Sequence, residues 1–353
     1  VARFARRWRR AAGCAIGGRV RHFLTTLDWS RAELSALVAD ARALKASAAP
    51  TDDLRGRAVG LLFFNSSTRT RTSFQIGAHQ LGGFAVVIEP GRGAWPVEIA
   101  PGVVMDGEAE EHIAEVVRVL SRYCALLGVR AFPPRVDWRH EREDPVLRAV
   151  VEHASVPVIN METITHPCQE LALMMTLEEK LGTTDGKRFL LTWTYHPQPL
   201  NTAVANSALL IASKLGMDVT VLCPSGEYLL DERYLEAARL GTAAHGRSFT
   251  VTHDIDAAYR GADVVYAKSW GALPFCGRWA EEKPLRERYR HFIVDERKMA
   301  LTPGALFSHC LPLRRNVKVT DGVLDSPACV AIDEADNRLH VQKAVMRKLL
   351  ASS

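Results

Sequence analysis

Leu61-Leu62-Phe63-Phe64 runs without a break into Asn65-Ser66-Ser67-Thr68-Arg69-Thr70-Arg71-Thr72. A short, wholly apolar run of this kind reads as a strand covered on both faces. The small polar residues after it read as a turn. From Arg69 to Leu81 apolar residues recur at three- and four-residue steps, the period of a core-facing helix. A strand that leads through a polar turn into a helix is half of a β-α-β crossover, and such crossovers build parallel sheets.

The same alternation continues along the chain. Further strands are expected over 84–89, 125–129 and 156–161 in the first half, and over 188–193, 218–223, 249–253, 262–268, 305–309 and 329–332 in the second. Helices are expected over 110–122, 168–181, 202–215 and 231–238. A chain of 353 residues exceeds what one core can organise. The fold class expected is α/β, with two doubly wound parallel-sheet domains and the active site in the cleft between them. The polar stretch Gly182-Thr183-Thr184-Asp185-Gly186-Lys187 is the expected boundary, giving domains over 22–181 and 187–333. The final segment, 337–353, reads as a helix expected to pack back on the first domain.

The turn at 65–72 is chemically unusual. Free N–H groups at a helix start bind anions, hydroxyls add donors, and a guanidinium offers a two-pronged fork to phosphate oxygens. Ser66 or Ser67 as a plain helix cap with solvated arginines would be the ordinary reading of such a pattern. Six consecutive hydroxyl or guanidinium side chains, Ser67 to Thr72, supply far more donors than one cap uses. Neither G-x-x-x-x-G-K-[ST] nor G-x-G-x-x-G occurs at this turn, so the expected ligand is a small phosphate compound, not a nucleoside triphosphate or dinucleotide.

Bulk properties narrow the class further. Residues 1–21 hold seven arginines and no Asp or Glu, and without those seven the formal net charge of +5 becomes −2. The basic balance belongs to a tail, so nucleic acid is not an expected partner. That tail is expected to be a disordered extension or an over-extended start, in preference to a transit peptide, since acid-containing, periodic sequence begins at His22. No apolar run reaches the ~18 residues of a membrane span. The seven cysteines are scattered and never spaced C-x-x-C, which points away from disulfides or a structural zinc site and towards the cytoplasm. Neither a metal nor a cofactor is expected.

Ser67-Thr68-Arg69-Thr70-Arg71 resembles the S-x-R-T-R carbamoyl-phosphate loop of the aspartate and ornithine carbamoyltransferases. His166-Pro167-Cys168-Gln169 resembles the H-P-x-Q motif of that family, and His309-Cys310-Leu311-Pro312 its H-C-L-P motif, in the same order and at similar separations. The resemblance runs from about His22 to the C-terminus. It implies that Ser67, Thr68, Arg69 and Thr70 hold the phosphate, with Arg338 a further contact placed just before the final helix. Arg130 and His166 would join Thr70 at the carbonyl oxygen, and these three are the catalytic residues expected. Gln169 and the backbone carbonyls near Cys310 and Leu311 would hold the carbamoyl NH2. Trp95, in a loop that closes on a neighbouring subunit in the family, implies a homotrimer with shared active sites; the plainer alternative is a buried loop anchor.

Specificity departs from the ornithine enzymes, for no Ser-Met-Gly is present. The combination Trp193-Thr194-Tyr195-His196-Pro197, Lys268-Ser269-Trp270 and Leu311-Pro312-Leu313-Arg314-Arg315 resembles the N-acetylornithine-type enzymes of the family. Glu110, Glu162, His196, Lys268, Leu311 and Arg314 are then the expected substrate contacts. Glu110 matches the acetyl-type pattern where the succinyl-type pattern has Pro, and a carboxylate there would repel the acid of a succinyl group. Lys318 matches a lysine that looks able to carry a carboxylate modification. The expected reaction is transfer of the carbamoyl group of carbamoyl phosphate to N-acetylornithine, giving N-acetylcitrulline for arginine synthesis. N-succinylornithine as substrate, and a catalytically silent carbamoyl-phosphate-binding relative, are the alternatives.

Overall fold

The computed structural model describes residues 20–47 and 49–351. Most of the basic tail therefore lies outside the described residues. Arg21, assigned to that tail by its sequence, is not idle: its guanidinium lies 3.5 Å from the Trp29 ring centroid and 2.6 Å from Glu33.

The chain forms two compact units. The first holds the chain up to Pro133, Arg139–Cys168 and the chain from Arg338 onward. It opens with helix α1 (Arg31–Ala46), started by a reciprocal cap in which the Ser30 hydroxyl accepts from the Glu33 N–H and the Glu33 carboxylate accepts from the Ser30 N–H. Strand β1 (Ala58–Phe63) follows, then helix α2 (Thr68–Gln80), strand β2 (Phe84–Ile88), and the short parallel pair β3 (Val97–Glu98) and β4 (Glu111–His112). Helix α3 (Ile113–Tyr123), β5 (Leu126–Arg130), α4 (Pro145–His153) and β6 (Val158–Glu162) complete the run. The sheet order is β2-β1-β5-β6, all parallel. One core gathers Leu62, Ile113, Val117, Leu127, Val129, Leu147, Val150 and Val158. Strands approach closely at Gly128, where a Cβ would stand 2.8 Å from Met161 Sδ and 3.0 Å from Leu61.

The second unit holds Pro134–Trp138 and Gln169–Asn337. Helix α5 (Pro167–Leu181) leads into β7 (Arg188–Trp193), α6 (Ala203–Lys214), β8 (Asp218–Leu222), α7 (Glu232–Ala243), β9 (Phe249–Thr252), β10 (Val264–Lys268), α8 (Trp279–Glu287) and β11 (Leu306–Ser308), and α9 (Ala331–Leu350) begins in this unit, with its residues from Arg338 onward counted in the first. Its parallel sheet runs β11-β10-β7-β8-β9. Gly182–Lys187 forms the loop between α5 and β7, and the two units divide after Cys168.

Three expectations change. No strand covers 329–332: Cys329 makes only an isolated bridge to Phe307, and α9 begins at Ala331. The final helix therefore starts earlier than expected, and Arg338 lies inside it. Helices α1, α4 and α8 were not anticipated. Pro145 sits in the first turn of α4, where a missing N–H costs nothing, and α8 carries Pro284 internally, so prolines that read as breaks do not break these helices.

Candidate active site

In each sheet the chain winds outward from a central strand and then returns to that strand's other side. This reversal falls between β1 and β5 in the first unit and between β7 and β10 in the second. Ligands of open α/β sheets bind beyond the carboxyl ends of strands at such reversals. Several of the residues singled out by sequence follow the strands at those two places.

In the first unit, the turn after β1 delivers Ser67 as the N-cap of α2, its hydroxyl accepting from the Thr70 N–H at 3.2 Å. A Ser cap of this kind is worth about 1 kcal/mol to the helix. Arg92 Nη1 donates to Ser66 Oγ at 2.8 Å, and Phe132 N–H donates to Asn65 Oδ1 at 2.6 Å, so the turn is tied at both sides. Thr70 is 1% exposed and its hydroxyl accepts from Arg338 Nη2 at 2.8 Å. Arg338 is thus brought to the phosphate loop by α9, whose side chains Leu339, Lys343 and Met346 pack around Gly77 of α2.

Arg130 ends β5 directly opposite Phe63 of β1. Its guanidinium bonds the Glu162 carboxylate at the end of β6, reaches the Ser66 carbonyl at 3.4 Å and lies 4.5 Å from the Phe132 ring centroid. His166 Nε2 lies 3.7 Å from the same Glu162 oxygen. Glu162, expected among the acylornithine contacts, is therefore the partner that holds Arg130 and faces His166. Fixed donors at a buried, partly charged corner suit a carbonyl oxygen on which negative charge develops.

In the second unit, His196 follows β7, Lys268 ends β10, and Cys310, Arg314 and Lys318 follow β11. Lys268 Nζ donates to Cys310 Sγ at 3.4 Å, and the His309 ring accepts the Leu311 N–H at 2.9 Å. Burial, reinforced by the charges of Lys268 and Arg314, lowers Lys318 to about 7. Burial and the charges of Lys318, Arg314 and Lys268 hold His196 down to about 4, against a weaker upward pull from the Gln198 backbone. His196 is neutral at neutral pH. The charges of Lys268 and Arg314 beside a buried amine make a locus that favours a carboxylate.

Gln169, 2% exposed, donates its amide N–H to Glu334 and has an amide oxygen without a hydrogen-bond partner among the described residues. Glu334 was missed by sequence reading. An acid in the first turn of a helix is common enough to pass unnoticed. Trp95 and Glu110 stand in the segment between β2 and β4, Trp95 63% exposed and Glu110 exposed, and neither side chain makes a hydrogen bond or ion pair among the described residues. Trp95 is not the buried anchor that was the alternative. Thr68 is exposed, while Arg69 is half-buried. Among the described residues no group of three or more His, Cys, Asp and Glu is placed to hold a metal ion.

The donor-rich turn after β1, the corner of Arg130, Glu162 and His166, and the cationic cluster after β10 and β11 stand at the two sheet reversals, and the chain belongs to the aspartate/ornithine carbamoyltransferase family. The family's carbamoyl-phosphate-binding domain matches residues 21–179 and its aspartate/ornithine-binding domain matches 199–349. Over 336 residues the chain is 63% identical to N-acetylornithine carbamoyltransferase of Xanthomonas campestris pv. campestris, covering 95% of this chain and 99% of that one. A crystal structure of acetylornithine transcarbamylase complexed with acetylcitrulline is 64% identical, covers 93% of this chain and 99% of that one, and superposes with a TM-score of 0.92. N-succinylornithine carbamoyltransferase of Bacteroides fragilis is 36% identical over 84% of this chain and 88% of its own length.

Proposed function

We propose that this chain transfers the carbamoyl group of carbamoyl phosphate to the side-chain amine of N-acetylornithine, giving N-acetylcitrulline and phosphate. The observation that carries the reading is the turn after β1, where Arg338 bonds Thr70 and Arg130 reaches the Ser66 carbonyl while it bonds the Glu162 carboxylate that His166 faces. The name and identity of the Xanthomonas relative favour the acetyl substrate over the succinyl one.

The chemistry needs positioning and electrostatics. Ser67, Thr68, Arg69, Thr70 and Arg338 hold the phosphate, and Arg130, His166 and the Thr70 hydroxyl polarise the carbonyl oxygen. Gln169 accepts from the carbamoyl NH2, as do the backbone carbonyls of Cys310 and Leu311. The amine attacks the carbonyl carbon, the new C–N bond forms, the C–O bond to phosphate breaks, and the amine's proton leaves with inorganic phosphate. Holding two reactants in place supplies about 7–11 kcal/mol of the barrier, and an oxyanion donor about 3 kcal/mol more.

Lys268, Arg314 and His196 receive the carboxylate and amide of the acylornithine. The blocked α-amine leaves only the terminal amine as nucleophile. Glu110 faces the acyl tip and disfavours succinate by charge. Lys318, a buried amine lowered to about 7, is the group that takes up carbon dioxide to become a carbamate; a ¹³C-labelled carbamate resonance that disappears in Lys318→Met tests this. Exposed Trp95, Val104 and Phe84 support a homotrimer in which a neighbouring subunit covers the segment carrying Trp95. The six described cysteines are free, which supports a cytoplasmic enzyme of arginine synthesis. Phosphate release from carbamoyl phosphate that requires N-acetylornithine is the direct assay; a protein that binds carbamoyl phosphate without turnover would be the silent relative instead.

A further inference from the structure

We propose that Glu334 is a positioning residue for carbamoyl transfer, fixing the Gln169 side chain so that its amide oxygen, not its nitrogen, meets the carbamoyl NH2. This rests on the reading of Gln169 given above. Glu334 is fully buried and accepts from three side chains: Gln169 Nε2 and the Tyr266 hydroxyl (3.0 Å) on one oxygen, and the Ser308 hydroxyl on the other. The strand register explains the convergence. Tyr266 of β10 and Ser308 of β11 are paired directly, so both side chains leave the same face of the sheet towards the start of α9.

An amide end is two-fold: rotated by half a turn, Gln169 would present NH2 where it now presents oxygen. Nothing in the shape of the side chain chooses between these states. An ionised carboxylate only accepts hydrogen bonds, so Glu334 takes the nitrogen and leaves the oxygen outward. That oxygen is buried and without a hydrogen-bond partner among the described residues. The carbamoyl NH2 is a donor, which the oxygen satisfies and a flipped NH2 would oppose. The choice of a carbamoyl over an acyl phosphate thus passes through a residue that does not itself touch the ligand.

The experiment compares carbamoyl phosphate with acetyl phosphate, in which CH3 replaces NH2, on the full-length protein. Glu334→Gln keeps the shape but can either donate to or accept from Gln169. Affinity for carbamoyl phosphate should fall on the order of tenfold, the worth of one hydrogen bond, while inhibition by acetyl phosphate changes less than about twofold. Gln169→Ala should erase the same preference, and adding Glu334→Gln to it should cost nothing more in preference. If Glu334→Gln does not fold, Tyr266→Phe removes one of the donors that fix the carboxylate and should lower the preference at least about twofold. Equal weakening of both ligands, or a preference unchanged in Glu334→Gln or in folded Tyr266→Phe, overturns the proposal. A wild-type protein that does not bind carbamoyl phosphate, or a Gln169→Ala variant that keeps the preference, overturns the reading of Gln169 and the proposal with it, whereas a preference lost in Gln169→Ala but kept in Glu334→Gln overturns the role of Glu334 alone.

Discussion

The Arg338 guanidinium donates a 2.8 Å hydrogen bond to the Thr70 hydroxyl across 268 residues of sequence. Helix α9 thereby supplies a cation to a loop built at the other end of the chain. Arg338→Ala should raise the KM for carbamoyl phosphate about 10- to 100-fold, the worth of a charge-assisted bond, with a much smaller change in KM for the amine. Initial rates with each substrate varied in turn check this. An equal rise for both substrates would mean the helix had shifted.

Arg130 is held by Glu162, so its loss has two separable consequences. Arg130→Met should lower kcat on the order of 10²- to 10³-fold by removing an oxyanion donor. It should also lower the thermal midpoint, because Glu162 is left as a nearly buried acid without its cation. Arg130→Met combined with Glu162→Met should recover much of that midpoint and none of the activity. Calorimetry and rate assays on the two variants distinguish the effects.

Lys318 titrates at about 7 in the folded protein, against about 10.5 when unfolded. Between those values the unfolded chain binds the extra proton, so stability should rise as pH increases from 7 to 10.5. Below pH 7 the cost of holding the buried amine charged is at its full size, and above 10.5 it is gone. In carbon dioxide-free buffer, Lys318→Met should flatten the rise of the melting temperature with pH relative to wild type. His196, lowered to about 4, should give no inflection in activity above pH 5. Parallel wild-type and Lys318→Met slopes would contradict the assignment.

Glu110 is exposed and makes no ion pair among the described residues, so replacing it disturbs no packing. Glu110→Pro should raise kcat/KM for N-succinylornithine relative to N-acetylornithine by about 5- to 30-fold, roughly the 1–2 kcal/mol of one relieved charge repulsion. The ratio of the two specificity constants is the measurement.

The sheets were readable because parallel strands covered on both faces are written as unbroken apolar runs, as at Leu61 to Phe64 and Phe189 to Leu191. The polar turn between β1 and α2 was readable because donors crowd the positions from Asn65 to Thr72. Residues 329–332 misled because Val330 is buried beside β11 without joining the ladder beyond an isolated bridge at Cys329, and apolar content alone does not separate a strand from the first turn of a buried helix. The pairing of Glu162 with Arg130 was not readable because the two are neighbours only through the pairing of β5 with β6. Glu334 was invisible for a similar reason: its three donors come from α5, β10 and β11, and no local pattern announces their meeting.

The measurement that tests the account most directly is carbamoyl-phosphate-dependent product formation with ornithine, N-acetylornithine and N-succinylornithine side by side. The account predicts N-acetylcitrulline as the dominant product, with little turnover of the other two amines. Preference for ornithine or N-succinylornithine would contradict the assignment of Glu110, Lys268 and Arg314, and no product from any of the three would contradict the transferase itself.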